Sequence, residues 1–383
     1  MLAAPRARLL AAPLLAASLA CACGASRGGA DDGGGGSGIA PRAELSLAGA
    51  ASRGVLSYAV AFAGPPAPLL VSVELGRTFD LVARSFDPAR GGALGERARV
   101  VLGPPDWDVS DLALVPGGRA ALVASAAGTV REVDLAGARV TATWHLGAAA
   151  TAVAVSPDGR LAATGSASGV LCLRRLADGA LLQCLAAHGA AISGLDFDPA
   201  GARLASSSWD GHVAVWSVPA LAALAELDVR GSANQLAFAP DGHSLAVATS
   251  AAPPRRTPEV AASERRGSGG GGAGAPLADP GARVLIWRPE PGGEPARELA
   301  GHRGPVTAVA WSADARHLVS ASWDRTVRLW DVGTGRELAR VSGFSHLLRD
   351  LAVARSGGWA AASAWAAGRD DPATVLLALH LPP

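Results

Sequence analysis

Residues 301–331 read GHRGPVTAVAWSADARHLVSASWDRTVRLWD. The stretch opens with Gly301-His302, turns at the polar Ala313-Asp314-Ala315 and closes on Trp330-Asp331. A second copy starts at His188. His302, Ser322, Asp324 and Trp330 lie at offsets 0, 20, 22 and 28, and His188, Ser208, Asp210 and Trp216 lie at the same offsets. Two such sets in register mean a repeat.

Working outward, the turn marker recurs. Pro116-Gly117-Gly118, Pro157-Asp158-Gly159, Pro199-Ala200-Gly201 and Pro240-Asp241-Gly242 end at steps of 41, 42 and 41 residues. Ala315 follows Gly242 by 73, which leaves an insertion of about 32 residues, seen as the Arg- and Gly-rich 251–281 segment. Ser356-Gly357-Gly358 follows, 43 residues after Ala315. That makes six units from Trp107 onward. Strand-like segments at 55–62, 69–75, 78–86 and 97–102 supply a seventh, and the last unit stops at its third strand, 374–380.

The Gly-His and Trp-Asp ends resemble the WD-repeat (WD40) family, whose unit is a four-stranded propeller blade. The resemblance implies an all-β, seven-bladed WD40-type β-propeller over residues 42–383, closed by the N-terminal strand at 42–48. Closure of that kind protects edges that would otherwise stay unpaired. It also implies a role for each repeated residue. The Trp216 or Trp330 indole N–H donates to the Ser208 or Ser322 oxygen. That serine donates to His188 or His302, and the histidine's other N–H donates to Asp210 or Asp324. This order suits the donor and acceptor capacity of each group. A Ser-His-Asp catalytic triad is the competing reading, but no GxSxG elbow accompanies it. Two identical triads in one chain suit a repeat better than an enzyme.

Composition removes other functions. The net charge is +1, so no basic footprint argues for nucleic acid. All bases are arginine, and the Ala, Gly, Arg and Pro bias reflects coding composition rather than function. Alanine richness favours helix, but turn signals recur too often for helices of ordinary length. No HExxH, CxxC or EF-hand spacing occurs, so no metal or cofactor is expected.

The N-terminus reads as a separate object. Arg6 and Arg8 precede a short apolar run, 9–20, that fits a lipoprotein-like signal peptide over 1–23. Cys21 is the expected lipidation site and Cys23 the alternative; a Gly-rich flexible tether follows at 24–41. The expected product is an exported, periplasmic or membrane-anchored monomer of bacterial origin, touching the membrane only through that anchor. Cys172 and Cys184 flank the Asp178-Gly179 turn, which leaves a disulfide or two buried thiols open.

Function is not written in the repeat itself. Trp209 and Trp323 each precede a repeat aspartate, on the face where the resemblance places the loops between blades. They are either packed against a neighbouring blade or exposed as partner anchors. His212, Arg303 and Arg325 are the neighbouring polar candidates. The 251–281 insertion and the 365–372 segment flank blade six on that face. The expected function is a non-catalytic scaffold that binds a protein or peptide there. A lactonase- or hydrolase-like enzyme using the central channel is the rival. It should cluster acids, His or Asn at the channel mouth, and Asn234 is the only asparagine. A cytosolic interaction module is the third reading.

Overall fold

The computed structural model describes residues 43–53, 56–64, 68–104, 108–252, 279–290, 292–344, 346–364 and 372–380. The expected signal peptide at 1–23, the tether at 24–41, Cys21, Cys23, Trp107 and nearly all of the 251–281 insertion lie outside them, as does the 365–371 stretch.

Seven four-stranded antiparallel sheets form the molecule. In chain order the first strands of blades one to seven are Leu56–Ala63, Val109–Leu114, Ala150–Val155, Ile192–Phe197, Ser232–Phe238, Val306–Trp311 and Leu348–Val353. These inner strands contact one another in sequence, and the last contacts the first, so the ring is closed. The single helical element among the described residues is a 3-10 turn at Pro88–Arg90. Alanine therefore sits mainly in strands. Ala121, Ala163, Ala205, Ala246, Ala321 and Ala361 are fully buried where facing sheets approach.

The seventh blade is composite. Strand Glu44–Arg53 pairs antiparallel with Pro372–His380, from Glu44 opposite His380 to Arg53 opposite Pro372. The closing strand thus runs five residues beyond the expected 48. Phe62 and Phe86 of blade one stack edge-on, and Phe86 stacks in turn on Trp359 of blade seven. The first blade's outer strand, Ala93–Gly103, begins four residues before the expected 97. The insertion leaves blade five between Leu245–Ser250 and Arg283–Trp287, its second and third strands.

The turn markers join first to second strands. In each, a left-handed residue closes a tight bond: Gly159 N–H to Ser156 O, Gly201 to Asp198, Gly242 to Ala239, Ala315 to Ser312 and Gly357 to Ala354. Gly357, not Gly358, is therefore equivalent to Ala315, and the last step is 42 residues.

Candidate functional site

Blades four and six hold the repeated network. In blade six, Trp330 Nε1 donates to Ser320 Oγ at 2.8 Å, and Ser320 Oγ lies 2.7 Å from His302 Nε2. His302 Nδ1 lies 2.9 Å from Asp324 Oδ2. In blade four, Trp216 donates to Ser206 at 2.9 Å, Ser206 lies 2.7 Å from His188 Nε2, and His188 Nδ1 lies 3.3 Å from Asp210. Both imidazoles are buried, and burial lowers their pKa, so they are neutral at pH 7. The order of partners then assigns Nδ1–H to aspartate and leaves Nε2 to accept the serine hydroxyl.

This corrects the serine. The network uses Ser206 and Ser320, two residues before the expected Ser208 and Ser322. Both members of each pair lie on one strand face, because the side-chain period is two. Register decides between them. Trp216 lies opposite Leu204 and Trp330 opposite Leu318, so each indole reaches the serine two residues further on. Ser208 and Ser322 end their strands and accept the N–H of Asp210 and Asp324 within the turn. Ser322 also donates to Gly304 O. Burial pushes the Asp210 and Asp324 carboxyls up, but hydrogen bonds and the facing histidines outweigh it and leave both below the usual range. Asp324 accepts from the Arg303 N–H, the Thr326 hydroxyl and Arg328. Nothing in this arrangement exposes a nucleophile: Ser206 and Ser320 are fully buried.

Other blades replace the network. In blade one Arg84 lies opposite Leu70, the place of Trp330, and donates to Ser72 Oγ at 2.9 Å and to Glu74 Oε1 at 2.7 Å. All three side chains are buried. In blade three Arg174 takes that place opposite Ala162, but Arg174 Nε and Thr164 Oγ1 find no protein partner. Here Cys172 and Cys184 lie opposite one another on the third and fourth strands and form a disulfide.

The turns carrying Trp209 and Trp323 and the connections between blades share one end of the ring, here the top. A cavity of about 840 Å³ opens there into the central channel. Both tryptophans line it. Trp209 is 38% exposed, whereas Trp323 is 8% exposed and packs into the wall. His212 is exposed at the start of its strand, Arg303 is exposed, and Arg325 is half-buried with φ +64°. None of these three lines the cavity.

The channel wall is more polar than expected from a chain with a single asparagine. Every inner strand has a register shift around its second residue. The residues freed there include Ser193, Asn234, Thr307 and Arg349. Ser193 donates to Ala233 O, Asn234 to Val306 O and Thr307 to Leu348 O, each in the next blade. Arg349 passes 4.7 Å over the Tyr58 ring and reaches Val109 O at 3.1 Å, so it spans blade one. Just below, side-chain acceptors take N–H groups from the neighbouring inner strand: Asp111 from Val153, Gln235 from Val309 and Asp350 from Val60. Asp196, two residues deeper, accepts from Phe238.

Burial raises Asp111 and Asp196 to about 7 and Asp350 to about 6. Asp350 adds to the push on Asp111, while the backbone donors and Arg349 pull Asp111 and Asp350 down. These acids were missed in the sequence because each sits singly inside a short, mainly apolar strand. A signal existed: Asp111, Gln235 and Asp350 each stand seven residues before the turn glycines Gly118, Gly242 and Gly357. Among the described residues no cluster of three metal-ligating side chains occurs.

Comparison with known proteins agrees with the geometry. Residues 140–174, 179–217 and 293–331 match the family described as WD domain, G-beta repeat. The Periodic tryptophan protein 2 homolog of Schizosaccharomyces pombe is 34% identical over 99 residues, which are 25% of this chain and 12% of that protein. WD repeat-containing protein 41 of Mus musculus is 36% identical over 77 residues, 18% of this chain and 16% of its own length. The small ribosomal subunit protein RACK1 of Candida albicans is 48% identical over 48 residues, 12% and 15% of the two chains. The chain thus spans less than a fifth of the length of each of these relatives. Each family match begins in or just before an outer strand and runs through the first three strands of the next blade. With seven four-stranded sheets in a closed ring, the chain is a seven-bladed β-propeller whose repeats at these three stretches are similar to the WD40 family.

Proposed function

We propose that this propeller is a non-catalytic scaffold that binds a protein or peptide on its top face. Trp209 carries the reading: a large ring, 38% exposed, standing at the mouth of the channel. Half-exposed Trp beside a concave site is a frequent binding anchor. The names of two relatives support assembly work as the class of function: a small ribosomal subunit protein and Ribosome assembly protein 4 of Saccharomyces cerevisiae. Affinity capture with crosslinking, comparing wild type with Trp209→Ala, tests the face. The partners should be lost from the variant, and their survival would show that the face is wrong.

The exported, lipid-anchored monomer belongs to the same proposal. The Cys172–Cys184 disulfide supports an oxidising compartment. Labelled palmitate should enter the wild type and not Cys21→Ala. Label retained in that variant moves the anchor elsewhere, to Cys23 first.

A further inference from the structure

We infer that Cys172–Cys184 is a thiol-exchange site: a dithiol reductant opens the disulfide through the exposed Cys184 sulfur and so unlatches the fourth strand of blade three. This site is independent of the top face and stands or falls without it.

Access is the first argument. Cys184 lies on Leu181–Ala186, the outermost strand of its sheet, and is exposed. Cys172 lies one strand further in, on Val170–Arg175, and is half-buried. Exposed disulfides are the ones open to thiolate attack, and the sulfur that solvent reaches is the one attacked.

The surroundings of Cys172 are the second. Thr164 lies directly opposite Cys172 on the neighbouring strand, so their side chains share a face. Arg174, two residues along from Cys172, shares it as well. Thr164 Oγ1 and Arg174 Nε are both buried and without a protein partner. Among the described residues Arg174 meets no carboxylate; it donates to the Gly179 carbonyl at 3.2 Å and lies 5.7 Å from the centre of the Trp144 ring. A disulfide sulfur is uncharged and a weak acceptor, whereas a thiolate at Cys172 is both a counter-charge for Arg174 and an acceptor for Thr164. The oxidised state thus leaves two donors idle that the reduced state employs.

The chemistry follows from these positions. The reductant's thiolate attacks Cys184 Sγ, the S–S bond breaks, and Cys172 leaves with the electron pair as a thiolate beside Arg174. The reductant's second thiol then displaces Cys184, so the reductant ends as a disulfide and the protein has gained two electrons. One dithiol proton goes to Cys184, and the other goes to solvent while Cys172 stays ionised. What this releases is the third argument. Leu181–Ala186 pairs with Val170–Arg175 alone, and Leu185 is its one side chain that is not exposed. A strand with one neighbour and little buried surface opens locally once its covalent tie is cut.

The test uses the whole chain, with dithiothreitol and glutathione as probes and peptide mapping to separate these cysteines from Cys21 and Cys23. Reduction of the folded protein should speed up in proportion to dithiothreitol; a rate that levels off at the rate of global unfolding, or no reduction, overturns the inference. The glutathione adduct, quenched in acid, should sit on Cys184 at least about tenfold more than on Cys172. Equal labelling, or an excess on Cys172, overturns it. On reduction, amide hydrogen exchange across residues 181–186 should quicken at least about tenfold while the other six blades keep their rates. Unchanged exchange in that strand, or faster exchange around the whole ring, means that there is no latch. Arg174→Gln removes the charge beside Cys172. At pH 8, in a fixed dithiothreitol buffer, it should shift the equilibrium towards the disulfide by about threefold or more, and the two proteins should converge towards pH 5, where the thiols are neutral. Thr164→Val should shift it the same way and stands in should Arg174→Gln fail to fold. A shift that ignores pH would give Arg174 a structural role only, and no shift in either folded variant overturns the assignment.

Discussion

At the scale of single residues, the serine of the network separates what a sequence can state from what register decides. His302, Asp324 and Trp330 were legible because their spacing recurs at His188, Asp210 and Trp216. The serine was not, because Ser206-Ser207-Ser208 and Ser320-Ala321-Ser322 offer two candidates on one face. A double-mutant cycle distinguishes them. Trp330→Phe and Ser320→Ala should couple by about 0.5–3 kcal/mol, and Trp330→Phe with Ser322→Ala by less than about 0.5 kcal/mol, read from denaturant unfolding. Asp324→Ala orphans the His302 Nδ1–H and the Arg303 N–H. It should cost about 1–3 kcal/mol per orphaned group and lower the melting temperature while top-face binding persists. Lost binding at unchanged stability would return the triad reading. Arg84 shows a substitution that no WD signature reveals: a guanidinium in the indole's place, its charge balanced by the buried Glu74 at 2.7 Å.

At the scale of elements, the turn markers gave the blade count because tight turns need a left-handed residue at a fixed place. Gly118, Gly159, Gly201, Gly242 and Gly357 have φ between +67° and +73°. Ala315 holds the same position at +56°. An L-residue there costs about 1–2 kcal/mol, offset in part by the roughly 0.4–1 kcal/mol that glycine loses through the unfolded chain. Ala315→Gly should therefore stabilise the protein by about 0.5–1 kcal/mol, seen as a raised melting temperature. Blade three was legible by spacing but not in how it is held. Without the Trp-Ser-His-Asp network, its third and fourth strands are joined by Cys172–Cys184, 12 residues apart in the chain. Replacing both cysteines with serine should cost about 2–3 kcal/mol in oxidising buffer. The difference from wild type should vanish once reductant is added; a difference that persists would mean the serines disturb the sheet themselves.

At the scale of the whole molecule, ring closure was legible because the last blade lacked a strand and the chain supplied one before the first. The channel was not: its acids arise where seven inner strands converge, a property of the ring and of no single repeat. Those acids give the molecule a pH signature. Folded-state values of about 7 for Asp111 and Asp196 and about 6 for Asp350 lie above the ordinary 3.8, so the folded state binds more protons. Their contribution to stability is fully present below about pH 4 and is lost as pH rises towards 7. His188 and His302 act oppositely, since their lowered values weaken the fold as pH falls below 6.5. A variant that combines Asp111→Asn, Asp196→Asn and Asp350→Asn isolates the acids. Its melting temperature should exceed that of wild type most at pH 8, and the gap should narrow steadily towards pH 5. A gap independent of pH would mean that the acids do not titrate in this range. The composite seventh blade has a mechanical consequence. Glu44 lies opposite His380, and the two strands run antiparallel from that end. Force applied through Glu44 and His380 would load the pairing one bond at a time, as a zipper rather than in shear. Tension between the two ends should therefore open the ring at this seam first, with the other six blades still folded.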